Sequence, residues 1–422
     1  MHLRPRAPMP TGRARLSFIA VLGGVSAVGP LATDLYLPAM PDVARDLGAS
    51  QQSIALTISA FLAGLAFGQL LSGHLSDTLG RRRPLIAGLL VFAAASLACP
   101  FASSAGALIT LRLAQGFSGA AGVAIANAVV ADHAYGTDAA RLLSRLALIT
   151  LLMPILAPLA GAQLLRVVSW QGVFVVQGAL GLVLATAVAF GLRESLPPDR
   201  RVPFGLRSGV LLMKTLSRDG AFVGLTLTSA LTSVAFFGYL AASSFVYQEV
   251  YGASPAVFGA LFSVNAVGML AASQVNHRLL SRFAPQRLLT AGLLVALVAG
   301  LALLAVTLAS GLGLVAVAIP LLVLVAAVGS IGPNSTALAL SLHPEAAGTA
   351  SAYYGTARLA VGASGSVLVG LGGSVSGLSM AVVVAVATLA AAVTYAFVAP
   401  RVRRVSATFD TPEEATADMP AG

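Results

Sequence analysis

The chain has 422 residues, of which 57% are hydrophobic and 9% charged, against about 25% charged in ordinary soluble domains, so a water-soluble globular protein is excluded. The net charge of +10 would point to nucleic acid in a soluble protein, but these arginines cluster in short loops beside apolar stretches, where they set membrane topology and call for no nucleic-acid partner. One cysteine, Cys99, and five scattered histidines leave nothing from which to build a disulfide framework or a metal centre.

A bilayer-spanning helix needs about 20 apolar residues. On that measure twelve spans are predicted, at 16–39, 54–75, 84–101, 106–131, 142–165, 172–192, 221–247, 256–277, 286–309, 313–340, 346–371 and 375–398. Arg4, Arg6, Arg13 and Arg15 precede the first, as in a signal peptide, but the apolar run continues through Asp34 to Pro41 without a clear cleavage site and reads as a retained helix. Asp34 is the sole acidic residue placed well inside a span. An isolated carboxylate in hydrocarbon costs about 2.5–3.5 kcal/mol on insertion scales, so Asp34 is either a proton carrier or a structural cap tied to the backbone around Pro38.

Between the second and third spans runs Gly73-His74-Leu75-Ser76-Asp77-Thr78-Leu79-Gly80-Arg81-Arg82-Arg83, and three consecutive arginines place this turn in the cytoplasm. Asp77 and Arg81, with Asp132 ending the fourth span at the same level, form a constellation expected to latch the outward-open state. Gly73 is expected to permit close helix approach and Gly80 a tight turn. Arg112 stands about six residues into the fourth span, roughly 9 Å deep, and Asp34 lies at roughly 8 Å from the same face. The two either pair, or Arg112 snorkels to headgroups. Gly116, Gly119 and Gly122 on that span read as packing devices.

The polar stretch 193–220 contains Pro197, Pro198 and six basic residues, and it divides the chain into a basic N-terminus (1–15), a six-helix half (16–192), a cytoplasmic loop (193–220), a second half (221–398) and a tail (399–422). Both halves carry a basic link after their second helix, the later one running from Asn276-His277-Arg278 through Arg282 to Arg287, so the halves read as parallel repeats. Arg358, about twelve residues into the eleventh span and roughly 18 Å deep, has no acid in its own half. It either meets an anionic group or repels cations, or it is bonded to carbonyls of a packed helix. Tyr36, Asn127, Tyr239, Asn265 and Asn334 are candidate cavity residues, although an intramembrane Asn also serves to bond a neighbouring helix. Gly372-Gly373 falls in a loop with no preceding strand, no Walker-type loop is present, and the tail with Asp410, Glu413 and Glu414 reads as disordered. All but four of the 25 Lys and Arg then fall on the cytoplasmic side, Arg45 and Arg166 lying outside and Arg112 and Arg358 within spans, which places both termini inside.

The Gly73–Arg83 turn resembles motif A of the major facilitator superfamily. Arg112-Leu-Ala-Gln115-Gly116-Phe-Ser-Gly119 looks like its motif B, and Asp34-Leu-Tyr36-Leu-Pro38-Ala-Met-Pro41 is similar to the end of helix one in drug/proton antiporters. Trp170-Gln-Gly-Val-Phe174, Gly332-Pro333-Asn334 and Gly348-Thr349-Ala350-Ser351-Ala352 look like the Bcr/CflA multidrug efflux group. The resemblance implies an all-α fold of twelve transmembrane helices in two pseudo-symmetric halves. It also implies export of drugs of the bicyclomycin or chloramphenicol type in exchange for protons. In the helix-five antiporter motif Pro154, Pro158 and Gly161 remain, while Met153, Ala157 and Ala162 stand at glycine positions.

The expectation is therefore a proton-coupled efflux transporter of the cytoplasmic membrane, working as a monomer in contact with lipid, drug and protons, with no cofactor beyond the proton gradient. An uptake permease is the alternative within the fold. A membrane enzyme lacks a cluster of catalytic side chains, and a channel lacks rings of polar residues.

Overall fold

The computed structural model describes residues 12–134, 136–201, 213–309, 311–343, 346–371 and 374–409. The N-terminal Arg4 and Arg6, the Gly372-Gly373 pair and the acidic tail from Asp410 lie outside them. Every regular element among the described residues is helical: α1 Gly12–Asp34, α2 Met40–Asp46, α3 Gln51–Leu79, α4 Arg82–Ala98, α5 Ala105–His133, α6 Gly136–Leu164, α7 Trp170–Gly191, α8 Gly220–Phe245, α9 Pro255–Leu279, α10 Pro285–Leu308, α11 Leu314–Ser341, α12 Ala347–Gly362, α13 Ser364–Leu368 and α14 Gly377–Phe409. Helix starts are written in the sequence as capping residues. Ser50 accepts a hydrogen bond from the Ser53 amide (3.1 Å), Ser104 from Ala107 (3.3 Å), Asp219 from Ala221 (2.8 Å) and Ser254 from Val257 (3.3 Å).

Eleven helices among the described residues are long and apolar enough to cross a membrane. The eleventh expected span, 346–371, is present but broken between α12 and α13. Gly362 and Gly365 press on α8, where a Cβ on Gly365 would lie 2.2 Å from the Val234 carbonyl oxygen. The carbonyl of Ala363 at the break accepts a hydrogen bond from Ser59 of α3 at 3.1 Å. Such glycine/serine positions are where helices kink. The first span also differs from expectation, because Pro38 and Pro41 have no amide hydrogen and stop α1 at Asp34. A single 3₁₀ turn, Leu37–Ala39, then leads into α2.

Two six-span bundles result. In the first, α3 packs most extensively on α5, α4 on α7 and α1 on α6; in the second, α8 packs on α14, and α10 on both α11 and α14. The α3–α5 contact is backbone to backbone: a Cβ on Gly116 would sit 2.0 Å from the Phe61 carbonyl oxygen, and one on Gly68 2.1 Å from that of Phe117. Gly122 approaches the Val25 carbonyl as closely, at 2.2 Å. The bundles meet through α6 on α9 and α3 on α12 and α13. Both are pairings of the fifth span of one half with the second span of the other, as two parallel repeats require.

The hydrogen bonds that cross between the bundles lie at one end of the molecule. Ser244 donates to the Leu37 carbonyl (2.6 Å), Gln248 to that of Pro38 (3.1 Å) and Ser263 to that of Ile155 (2.6 Å). Gln51 donates to Glu249 and accepts from the Val375 amide at 3.0 Å. The opposite end carries Arg81–Arg83, Arg278, Arg282 and Arg287 and has no crossing hydrogen bond among the described residues. The hydrogen-bonded seam is thus at the end opposite the arginine-rich turns.

Candidate functional site

Asp34 is the last residue of α1 and is buried. It therefore does not stand mid-helix, but at the break where the chain turns into the Leu37–Ala39 segment that binds the second bundle. Its carboxylate has no hydrogen bond or ion pair among the described residues. Tyr239 of α8, in the opposite bundle, lies within electrostatic reach.

The expected Asp34–Arg112 pair is not formed. Arg112 is fully buried, which also removes the snorkelling alternative. Its guanidinium donates to Gln115 Oε1 at 2.6 Å and to the Ala32 carbonyl at 3.3 Å. Gln115 in turn donates to Ser96 and to Gln177, each at 2.7 Å, and Gln177 donates back to Ala32 at 3.2 Å. The Ala32 carbonyl is free to accept both because the Tyr36 amide bonds to Thr33 instead, closing a tighter turn at the end of α1. Three aromatic rings enclose the cation, Phe61, Tyr36 and Phe174 lying 4.3, 4.9 and 5.9 Å from the guanidinium carbon. Arg112 Nε and Nη2 find no acceptor. Asp34 misses this cage because it lies two residues from both Ala32 and Tyr36, about 200° around a helix of 3.6 residues per turn.

Tyr36 belongs to the same cage, its hydroxyl 3.2 Å from Thr57, and is a core residue rather than a cavity wall. Asn334 is likewise committed to packing: its amide donates to Asn276 at 2.7 Å and to the Ser330 carbonyl at 2.8 Å, joining α11 to α9. Tyr239 accepts from Asn265 at 2.8 Å and stacks on Phe262 at 5.7 Å. Pro154 of α6 faces this group across the seam between the bundles. Pro158 meets α9, where a Cβ on Gly259 would lie 2.9 Å from its carbonyl, and Gly161 packs against the Leu35 carbonyl, 2.4 Å from its ideal Cβ. Helix α6 thus touches both the α1 break and the opposite bundle. Asn127 is exposed on the arginine-bearing half of α5. Arg358 of α12 is partly exposed and bonded to nothing among the described residues, so carbonyl-bonded packing is not its state.

At the arginine-bearing end, Arg81 donates to Asp132 at 3.0 Å, to Ser76 at 2.8 Å and to Asp77. Burial alone would lower its pKa, but its hydrogen bonds to the Asp132 and Asp77 carboxylates, and their charge, outweigh that and hold it above the usual arginine value. Gly80 has φ +90°, a conformation open to glycine, and its Cβ position is taken by the Glu194 carboxylate, 2.6 Å away. Gly73, by contrast, has open space around it and mediates no close approach. Two further residues complete the cluster. Glu194 accepts from the Arg81 and Arg82 amides at 2.7 and 3.1 Å, capping α4 from beyond α7, and Ser195 donates to Asp132 at 2.7 Å. Every one of these partners belongs to the first bundle or to the strand of chain leaving it.

Ser96, Gln177, Glu194 and Ser195 were not singled out by sequence. Gln177 had a signal, as a lone amide in the apolar run 172–192, and Glu194 as an acid beside the basic stretch.

Residues 22–366 match the family model described as Major Facilitator Superfamily. The chain is 34% identical over 364 residues to the uncharacterized MFS-type transporter YdgK of Bacillus subtilis, covering 86% of this chain and 90% of that one. It is 30% identical over 346 residues to the bicyclomycin resistance protein homolog of Haemophilus influenzae, covering 82% and 87%. Its fold matches the crystal structure of a bacterial homolog of the human lysosomal transporter Spinster with a TM-score of 0.73 at 16% identity, covering 96% of this chain and 100% of that one.

Proposed function

Since the chain belongs to the Major Facilitator Superfamily and is built as a polytopic membrane transporter, we propose that it exports small amphipathic drugs, of the bicyclomycin or chloramphenicol type, in exchange for protons. On this reading the positive-inside rule puts the arginine-rich turns and both termini in the cytoplasm, the protein works as a monomer in the cytoplasmic membrane, and the hydrogen-bonded seam is its closed outer side. The observation that carries the reading is the unpaired Asp34 carboxylate at the α1 break. Ionised there, it bears the cost of burial and faces the negative end of its own helix. Three and four residues on, the carbonyls of Leu37 and Pro38 hold the outer seam shut against Ser244 and Gln248.

A proton on Asp34 and a drug in the central cavity bias the same two-state equilibrium, which is the requirement for obligatory exchange. Drug enters from the cytosol or inner leaflet, the bundles rock, and Asp34 takes up a proton from outside as drug leaves. Release of that proton inside resets the cycle. Arg112 supports this as a positioning residue, since its cage fixes the α1 break through Ala32 and Tyr36. Arg358, partly exposed at mid-depth with no partner among the described residues, lines the cavity and selects against cations. Asn127 and the Tyr239–Asn265 pair contribute polar groups along the route, and the Asp77–Arg81–Asp132 cluster gates the cytoplasmic side.

The test uses everted vesicles energised acid inside, in which addition of chloramphenicol releases quenched fluorescence of a pH dye. Wild type responds and Asp34→Asn does not. If wild type is silent to every drug while intact cells accumulate a metabolite, export is wrong and the uptake alternative takes its place.

A further inference from the structure

The basic turn of the second bundle carries a chemistry that transport does not use. Helices α9, α10 and α11 enclose an apolar groove of about 450 Å³. Val275, Val295 and Val323 on its walls are exposed, so it opens onto hydrocarbon. The groove begins at Leu279 and Leu288, on either side of the α9–α10 turn, and reaches Gly268 on α9. That is a run of about 16 Å at 1.5 Å per residue.

At the mouth stand Arg278, Arg282 and Arg287, all exposed, with no hydrogen bond or ion pair to their guanidinium groups among the described residues. The segment 276–287 contains no acid. Leu280 and Phe283, between the arginines, are exposed apolar side chains at the same level. Asn276, 4% exposed, lines the groove where it meets this turn; its Oδ1 accepts from Asn334, and its Nδ2 donates to nothing among the described residues. Positive-inside anchoring accounts for the arginines alone. It does not account for an apolar groove running up from them between α9, α10 and α11. Another basic pair, Arg141 and Arg145 in the first turns of α6, differs in that Arg141 is paired with Asp138 at 3.5 Å.

We propose that this groove is a binding site for an anionic phospholipid of the leaflet at the arginine-bearing end, with an acyl chain between α9, α10 and α11 and the phosphate on Arg278, Arg282 and Arg287. Charge complementarity selects the occupant: three cations with no ion pair among the described residues, on a segment without acids, favour a lipid of net negative charge over a zwitterionic one.

The full chain, stripped of lipid in detergent, is titrated with phosphatidylglycerol or phosphatidylcholine of the same acyl chains, and bound lipid is counted by native mass spectrometry. Wild type prefers phosphatidylglycerol, and replacing arginine by glutamine at 278, 282 and 287 removes about fivefold of that preference per residue. Ala291→Phe, which fills the exposed groove wall without touching charge, lowers binding of both lipids. Arg141→Gln with Arg145→Gln leaves the preference intact, and inorganic phosphate does not displace the lipid. Equal binding of the two lipids by wild type, an unchanged preference in the triple variant, an equal loss in the Arg141/Arg145 control, or displacement by inorganic phosphate would each overturn the proposal.

Discussion

Asp132→Ala is expected to cost far more than Asp77→Ala, although both remove a carboxylate from Arg81. The Asp77 side chain is 51% exposed, whereas that of Asp132 is 16% exposed and that of Arg81 10%. A solvent-exposed ion pair is worth about 0–1 kcal/mol. A hydrogen bond to a charged group in a sheltered position contributes about 1.5–3 kcal/mol. Asp132 makes two of these, one from Arg81 at 3.0 Å and one from Ser195 at 2.7 Å. Some of that loss is recovered because Arg81 keeps Asp77 and Ser76, so the expected cost is about 2–4 kcal/mol for Asp132→Ala and below about 1 kcal/mol for Asp77→Ala. Asp132→Asn, which keeps an acceptor oxygen but no charge, falls between. Reversible unfolding in mixed micelles measures all three, and a double-mutant cycle with Arg81→Ala isolates the pairwise term. Equal losses at the two aspartates, or a larger loss at Asp77, would refute the inference that sheltering decides the energetics of this cluster.

Gly116→Ala places a methyl 2.0 Å from the Phe61 carbonyl oxygen, a backbone atom that no rotamer change can move, and is expected to cost about 1–3 kcal/mol in the same assay. Gly73→Ala meets open space inside a helix and is expected to be neutral or to stabilise by up to about 1 kcal/mol; the reverse order for these two glycines would contradict the packing described. Arg112→Lys loses the flat cation between Phe61, Tyr36 and Phe174 and the bond to Ala32, so unfolding free energy falls and the conservative charge does not rescue it. Gln51→Ala cuts the outer-seam contacts to Glu249 and Val375, about 1 kcal/mol, and shifts the population severalfold toward the outward-open form, read as greater labelling of a cysteine placed in the outer half of the cavity.

Some of the site was legible because it rested on local rules. The turn at Gly80 needs the backbone freedom of glycine, and Asp77 and Arg81, at i and i+4, meet across one helical turn. Asp132 could be added from membrane level alone. The pairing of Asp34 with Arg112 failed because depth fixes only one coordinate of a side chain. The other is rotation about the helix axis, which the proline-driven break after Asp34 and the tighter turn at Tyr36 determine. Tyr36 and Asn334 were misplaced for a related reason: a polar group on a span has to satisfy itself somewhere, and only packing says whether the partner is a neighbouring helix or a cavity.

The sequence by itself determined the solvent, the number and approximate limits of the spans, the division into two halves and the distribution of positive charge. Each depends on the hydrophobicity of a contiguous stretch or on residues near the ends of one helix. The tertiary structure decided which helices touch, where α1 and the α12–α13 segment break, and which end is sealed. It also decided that Arg112 is enclosed by Gln115, Gln177 and three rings while Asp34 is left unpaired. Those outcomes depend on side chains distant in sequence competing for the same donors, acceptors and space, so they are set only when the bundles close.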